Sequence, residues 1–239
     1  MKGLLHALLI AVSSSAWLPV AMADGFGINA TRLIYPEGAN SITVTVRNTM
    51  PELPYLVQAT VTMTPNKPQV APFNVTPPLF RLEPNTTNQV RIAGQTGHLP
   101  KDRESVFYFN TRAIPASRAL PLMPQASAVS GAAQFGVGNI IKIFYRPAGL
   151  AGSSGNAQRD LQFERSGNGL KVTNTSPYFI NLAGLSVAGQ KLSLQPPAGV
   201  PMIAPFDSHI YPTAVKQGRV NWQTITDQGA IDEFDRALR

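Results

Sequence analysis

The sequence predicts an all-β protein made of two β-sandwiches that meet near residue 147. Three observations carry that reading. Short runs alternate apolar and polar residues with period two, so that one side of each extended strand enters a core and the other meets water. Pro, Gly and Asn break these runs at regular spacing, as sandwich strands joined by turns require; the chain holds 21 Pro and 19 Gly. No segment of helical length carries a 3.6-residue apolar stripe. A hydrophobic content of 44% over 239 residues supports two cores of ordinary size.

Residues 1–23 read as an export signal. Lys2 supplies the charged start, 4–12 the apolar centre, and Ala21-Met22-Ala23 the small-x-small cleavage site before Asp24. The apolar centre is short for a bilayer span, so cleavage is expected to release 216 of the 239 residues. A first sandwich is expected over 24–147. Its period-two runs are 42–47 (ITVTVR), opening after the 36–40 turn, and 55–62 (YLVQATVT). Shorter strands are expected at 80–82, 90–92 and 105–112. The small, uncharged stretch 148–157 (AGLAGSSGNA) reads as a flexible linker. A second sandwich over 158–239 is expected from runs at 161–165, 170–174, 178–187, 191–194, 208–211 and 220–225. The last nine residues are expected to form a short helix or to fray.

Two stretches do not fit a plain sandwich. The run 140–147 (IIKIFYRP) sets Lys142 inside an apolar strand. An unpaired ammonium is costly to bury, so Lys142 either reaches a solvent face along its aliphatic stem or awaits an anion brought by a partner. Upstream, Ala133, Phe135 and Val137 share one side of an extended strand with small or polar residues opposite. They either cover their own core or offer a row of apolar side chains to another chain, and exposed apolar edges are an aggregation hazard unless they serve a purpose.

The residues argue against several functions. The chain has no Cys, so no disulfide framework exists. Only His98 and His209 follow the signal, poor material for a zinc site. Neither a GxSxG elbow nor a Walker loop, HExxH or GxGxxG motif occurs. Asp232, Glu233 and Asp235 read as a solvated face rather than a catalytic carboxylate pair. No catalytic residue, metal or cofactor is therefore expected. The formal charge of +7 is scattered singly, without the basic stripe and interleaved aromatics of nucleic-acid binders; an acidic protein partner fits it better.

Six segments, in order, resemble the periplasmic pilus chaperones, the PapD-like family of chaperone–usher systems. They are 30–36 (ATRLIYP), 53–59 (LPYLVQA), 76–84 (TPPLFRLEP), 99–110 (LPKDRESVFYFN), 140–147 (IIKIFYRP) and 174–178 (NTSPY). The resemblance implies two immunoglobulin-like sandwiches set in an L with a cleft between them. It implies an ATP-independent periplasmic chaperone that lends its own strand to unfinished pilus or fimbrial subunits, then delivers them to an outer-membrane usher. By the same resemblance, Arg32 and Lys142 would anchor the subunit's terminal carboxylate. Ala133, Phe135 and Val137 would be the donor side chains, and Glu104, Arg146 and Asp227 an interdomain charged set. An uncapped donor strand would give the free protein a reason to self-associate, and the sequence leaves that open. The 26 residues between Pro115 and Lys142 point to the family's long-loop branch, whereas the absence of Cys points away from it. Two other readings remain at this point: a structural pilus subunit or adhesin, which would need an N-terminal extension of alternating apolar residues, and an exported carbohydrate-binding or hydrolytic sandwich, which would need exposed aromatics or a carboxylate pair.

Overall fold

In the computed structural model, residues 25–67, 69–116 and 136–238 are described. The described residues up to 146 form two facing sheets. One runs β1 (Phe26–Ile28), β3 (Ile42–Asn48), β7 (Thr86–Gly94), β5 (Phe73–Thr76). The other runs β2 (Arg32–Pro36), β9 (Val137–Arg146), β8 (Ser105–Pro115), β4 (Tyr55–Thr62), β6 (Leu79–Leu82). Strand β4 shows why the pattern was readable: Tyr55, Val57, Ala59 and Val61 are buried, while Leu56, Gln58 and Thr60 are exposed. The inward side chains of both sheets build one core around Val46, Val57, Val90, Ile92, Phe107, Phe109 and Ile143. Aromatic edges tighten it, with Phe73 and Phe107 ring centres 4.9 Å apart. Every ladder in this half is antiparallel except β2 against β9.

Residues 154–238 form the second sandwich. The sheet β10 (Gln162–Ser166), β11 (Gly169–Thr173), β15 (Ser208–Pro212) faces the sheet β13 (Gln190–Lys191), β12 (Ile180–Val187), β16 (Gly218–Ile225), β17 (Ile231–Leu238), with β14 (Met202–Ile203) paired to β12. Leu161, Ile180, Val187, Tyr211, Val220 and Trp222 fill its core. Both sandwiches use a buried Asn in an Asn-Thr-x-Pro turn, a repeat in the sequence that becomes meaningful only in the fold. Asn48 Nδ2 donates to the carbonyls of Leu53 and Glu83. Asn174 Nδ2 donates to those of Tyr178 and Ala204. Each Oδ1 accepts the amide of the second residue on, Met50 or Ser176, the Asx turn that suits a tight corner.

Two expectations need correction. The C-terminal run is neither helical nor frayed: Ile231–Leu238 pairs with β16 along its whole length. Its side chains are mostly exposed, with only Phe234 and Leu238 reaching the core, so the free edge of β16 recruits a strand whose own pattern is weak. The stretch 148–157 is also less loose than its composition implies. The Ala148 amide donates to Glu37 Oε2 at 2.8 Å. Ser153 caps a short helix, α1 (Ser154–Arg159), which buries Ala157 and Gln158. The Gln158 carbonyl then accepts from the Trp222 indole at 2.9 Å, tying the helix to the second core.

Candidate functional site: a cationic cleft between the sandwiches

Alternation along β9 decides where its charges go. Ile143 and Tyr145 are buried in the first core, so Lys142, Phe144 and Arg146 emerge on the opposite face, toward the second sandwich. Phe144 meets Phe179 there, ring centres 5.6 Å apart. The parallel register of β2 sets Arg32 directly beside Lys142. Two side chains 110 positions apart in sequence thus become neighbours on one sheet face.

Both cations are half-buried, and their hydrogen bonds in the cleft go to neutral oxygens of the second sandwich. Lys142 Nζ donates to Asn181 Oδ1 at 2.9 Å, and Arg32 Nη1 to the Ile225 carbonyl at 2.9 Å. Arg32 Nε is sealed from solvent and has no hydrogen-bond partner among the described residues. Burial, and then the adjacent Arg32 charge, hold the Lys142 ammonium below its ordinary value. Burial likewise lowers Arg32, with Asp227 opposing the shift. Among the described residues neither cation lies within ion-pair distance of a carboxylate. Two desolvated positive charges with an unmade donor form a site electrostatically suited to an anion.

Next to it, Glu104, Arg146 and Asp227 meet across the two sandwiches. Arg146 Nε donates to Glu104 Oε1 at 2.6 Å, and its Nη1 and Nη2 grip Asp227 at 2.8 and 3.1 Å. Glu104 is only 3% exposed; its other oxygen accepts the Phe179 amide at 2.8 Å. Burial raises the Glu104 pKa against the pull of Arg146. Burial works against the Arg146 charge too, but the bonds and charges of Asp227 and Glu104 outweigh it and raise its pKa. The Tyr178 ring lies 5.2 Å from the guanidinium. The β16–β17 turn closes on the first sandwich so tightly that a Cβ on Gly229 would sit 2.4 Å from Thr31 Oγ1.

Comparison with known proteins finds matches along nearly the whole chain. Residues 25–151 match the family described as the pili and flagellar-assembly chaperone, PapD N-terminal domain, and residues 156–235 the PapD pili assembly chaperone C-terminal domain. The chain belongs to the PapD family of pilus-assembly chaperones. It is 38% identical over 234 residues to the probable fimbrial chaperone ElfD of Escherichia coli strain K12, covering 96% of this chain and 94% of that one. It is 33% identical over 220 residues to the chaperone FocC of Escherichia coli, covering 91% of each. Among solved structures, the Escherichia coli chaperone DraB superposes with a TM-score of 0.75 at 34% identity, over 90% of this chain and 99% of that one. The SafB chaperone of Salmonella enterica, solved with the SafA pilin, gives a TM-score of 0.75 at 30% identity, over 92% and 99%.

As a PapD-family chaperone, the protein takes part in pilus assembly, and its two sandwiches adopt the family's L. Of the three expected donor positions, Ala133 and Phe135 lie outside the described residues. Val137 opens β9, 43% exposed, opposite Ala113 of β8. Strand β2 pairs with β9 only from Lys142 to Arg146, so among the described strands the β9 edge from Val137 to Ile141 has no partner on that side. The Asn139 Nδ2 there is buried and unbonded. Sequence reasoning did not find Asn181 or the Ile225 carbonyl. The first carries no motif and sits in the other sandwich; the second is backbone, invisible in composition. Among the described residues no cluster of His, Cys, Asp or Glu is arranged to hold a metal, and no helix is long and apolar enough to cross a membrane.

Proposed function

We propose that this chaperone captures fimbrial subunits in the periplasm by donor-strand complementation. Its anchor would be the subunit's C-terminal carboxylate, held between Arg32 and Lys142. The single observation that carries the reading is the pair of half-buried cations meeting only neutral oxygens, one with a sealed, unsatisfied N–H. An incoming carboxylate would supply the missing negative charge, and the sealed Arg32 Nε could meet it only once the guanidinium turns on binding. The subunit strand would then run along the open edge of β9, with Ala133, Phe135 and Val137 entering its groove. Main-chain bonds would satisfy that edge, and each large donor side chain fully buried would contribute ~1.5–3 kcal/mol. The anchor fixes register, because a slip by one residue turns the wrong side chains inward. The protein reaches this compartment through cleavage after Ala23 and passes its cargo to an outer-membrane usher. Release comes from exchange with a better-fitting strand, without nucleotide.

The test is periplasmic capture of a co-expressed cognate subunit by C-terminally tagged protein. Charge-assisted bonds of about 1.5–3 kcal/mol each put the loss for Lys142→Ala or Arg32→Ala at roughly ten- to a hundredfold. Phe135→Asp should weaken capture as well. Equal capture by wild type and both cation variants would remove the anchor from the mechanism.

A further inference from the structure

We infer that Asn181 is a third arm of the carboxylate anchor, a positioning residue that requires a neutral amide, and this rests on the anchor reading above. Asn181 lies in β12 between β14 and β16, opposite Met202. Its neighbours Ile180 and Leu182 point into the second core, so strand alternation turns its side chain toward the first sandwich. It is 4% exposed, yet it is not a core residue. Its Oδ1 accepts from Lys142 Nζ at 2.9 Å, whereas its Nδ2 donates to no described residue. Its backbone pairs with Met202 of β14, and the ladder with β16 begins at the next residue, Leu182, so the amide is held at the rim of the cationic site.

The chemistry of the group follows from its two ends. A carboxylate has two oxygens with about four lone-pair directions; one Lys142 N–H is already spent on Asn181 and one Arg32 N–H on the Ile225 carbonyl, so a further neutral donor beside them adds to the set that can meet the anion. An amide that accepts from Lys142 through Oδ1 has two N–H donors on Nδ2 with which to meet the anion. Its oxygen also holds the lysine in place without neutralising it. A carboxylate at position 181 would hold the lysine equally well but would fill the site from within. Asn181 therefore lets the free chaperone keep both charges aimed and unspent, and it biases the cleft toward a planar terminal carboxylate.

The experiment uses the full mature chain and a short synthetic strand peptide of alternating Val and Thr, prepared as the free acid and as the C-terminal amide. Wild type is expected to bind the acid at least tenfold more tightly. Asn181→Ala should shrink that ratio several-fold, and Asn181→Asp should abolish it while leaving amide binding intact. Asn181→Asp should also raise the thermal midpoint of the unliganded protein, because the new carboxylate neutralises Lys142. Variants that keep the wild-type ratio, alongside a Lys142→Ala protein that loses it, overturn the role of Asn181 and leave the anchor standing. If wild type makes no distinction between acid and amide, the anchor reading falls and this inference falls with it.

Discussion

Lys142 is a residue whose burial costs the free protein and which, in the proposed anchor, would serve the complex. It sits in an apolar strand because its neighbours Ile141 and Ile143 face a core, and the pleat then delivers its charge to the cleft. Its pKa lies below the ordinary value of 10.5, first because of burial and then because of Arg32. The sign of the pH effect follows. Between the lowered folded pKa and the unfolded value near 10.5 the unfolded chain binds more protons, so stability rises with pH across that window. Lys142→Met is expected to remove this rise, at most about 1.4 kcal/mol per pH unit for one proton, and to lose subunit capture. Denaturant unfolding of both proteins at a series of alkaline pH values checks it. Tyr108 pairs directly with Lys142 across β8 and β9 and its pKa is raised by burial, so both proteins carry Tyr108→Phe; Tyr211, raised by burial in the second core, is common to the two. A variant with the same pH slope as wild type would show that Lys142 is not the responsible group.

The strand β9 is the element on which the proposed capture turns. It is flanked by β2 and β8 from Lys142 to Tyr145, and among the described strands it is an edge from Val137 to Ile141, where β8 alone pairs with it. An edge that also carries exposed apolar side chains invites another strand; Val137 is 43% and Ile140 50% exposed. The free chaperone is therefore expected to self-associate reversibly through this edge, and subunit binding should compete with that association. Light scattering over a concentration series should show a rising mass for wild type and a lower one for Ile140→Lys. A single monomeric mass at every concentration would contradict it.

At the scale of the molecule, the two sandwiches are joined less by the chain between them than by a few buried polar contacts. Glu104 contributes its amide to the Pro177 carbonyl and its carboxylate to Arg146 and the Phe179 amide. Arg146 carries the link on to Asp227. Removing the guanidinium would strand a buried carboxylate, which costs about 3–5 kcal/mol for fully enclosed pairs. Arg146 and Asp227 keep partial solvent access, so the expected loss for Arg146→Ala is about 2–3 kcal/mol. Small-angle scattering should show a wider spread of domain angles in this variant. Unchanged stability together with an unchanged scattering curve would dismiss the network as an orienting device.

What could be read before the fold was known depended on whether local pattern or distant contact set each feature. Strand β4 was legible to the residue because one side of it is buried and the other wet along its length. Strand β17 was not, because its exposed, charged residues carry little alternation and its pairing is dictated by β16. Lys142 was conspicuous as a cation in an apolar run, but its neighbour Arg32 entered only through family resemblance, since nothing local links positions 110 residues apart. Asn181 carried no signal. The sequence by itself determined two all-β sandwiches, because period-two burial is a local property of the chain, and the PapD motifs written along it. Only the tertiary structure decided that two cations share one face, that Arg32 keeps a sealed donor, and that an amide from the other sandwich stands against Lys142. Those are through-space facts, set by a parallel strand register and by the docking of two domains, and no spacing along the chain encodes them.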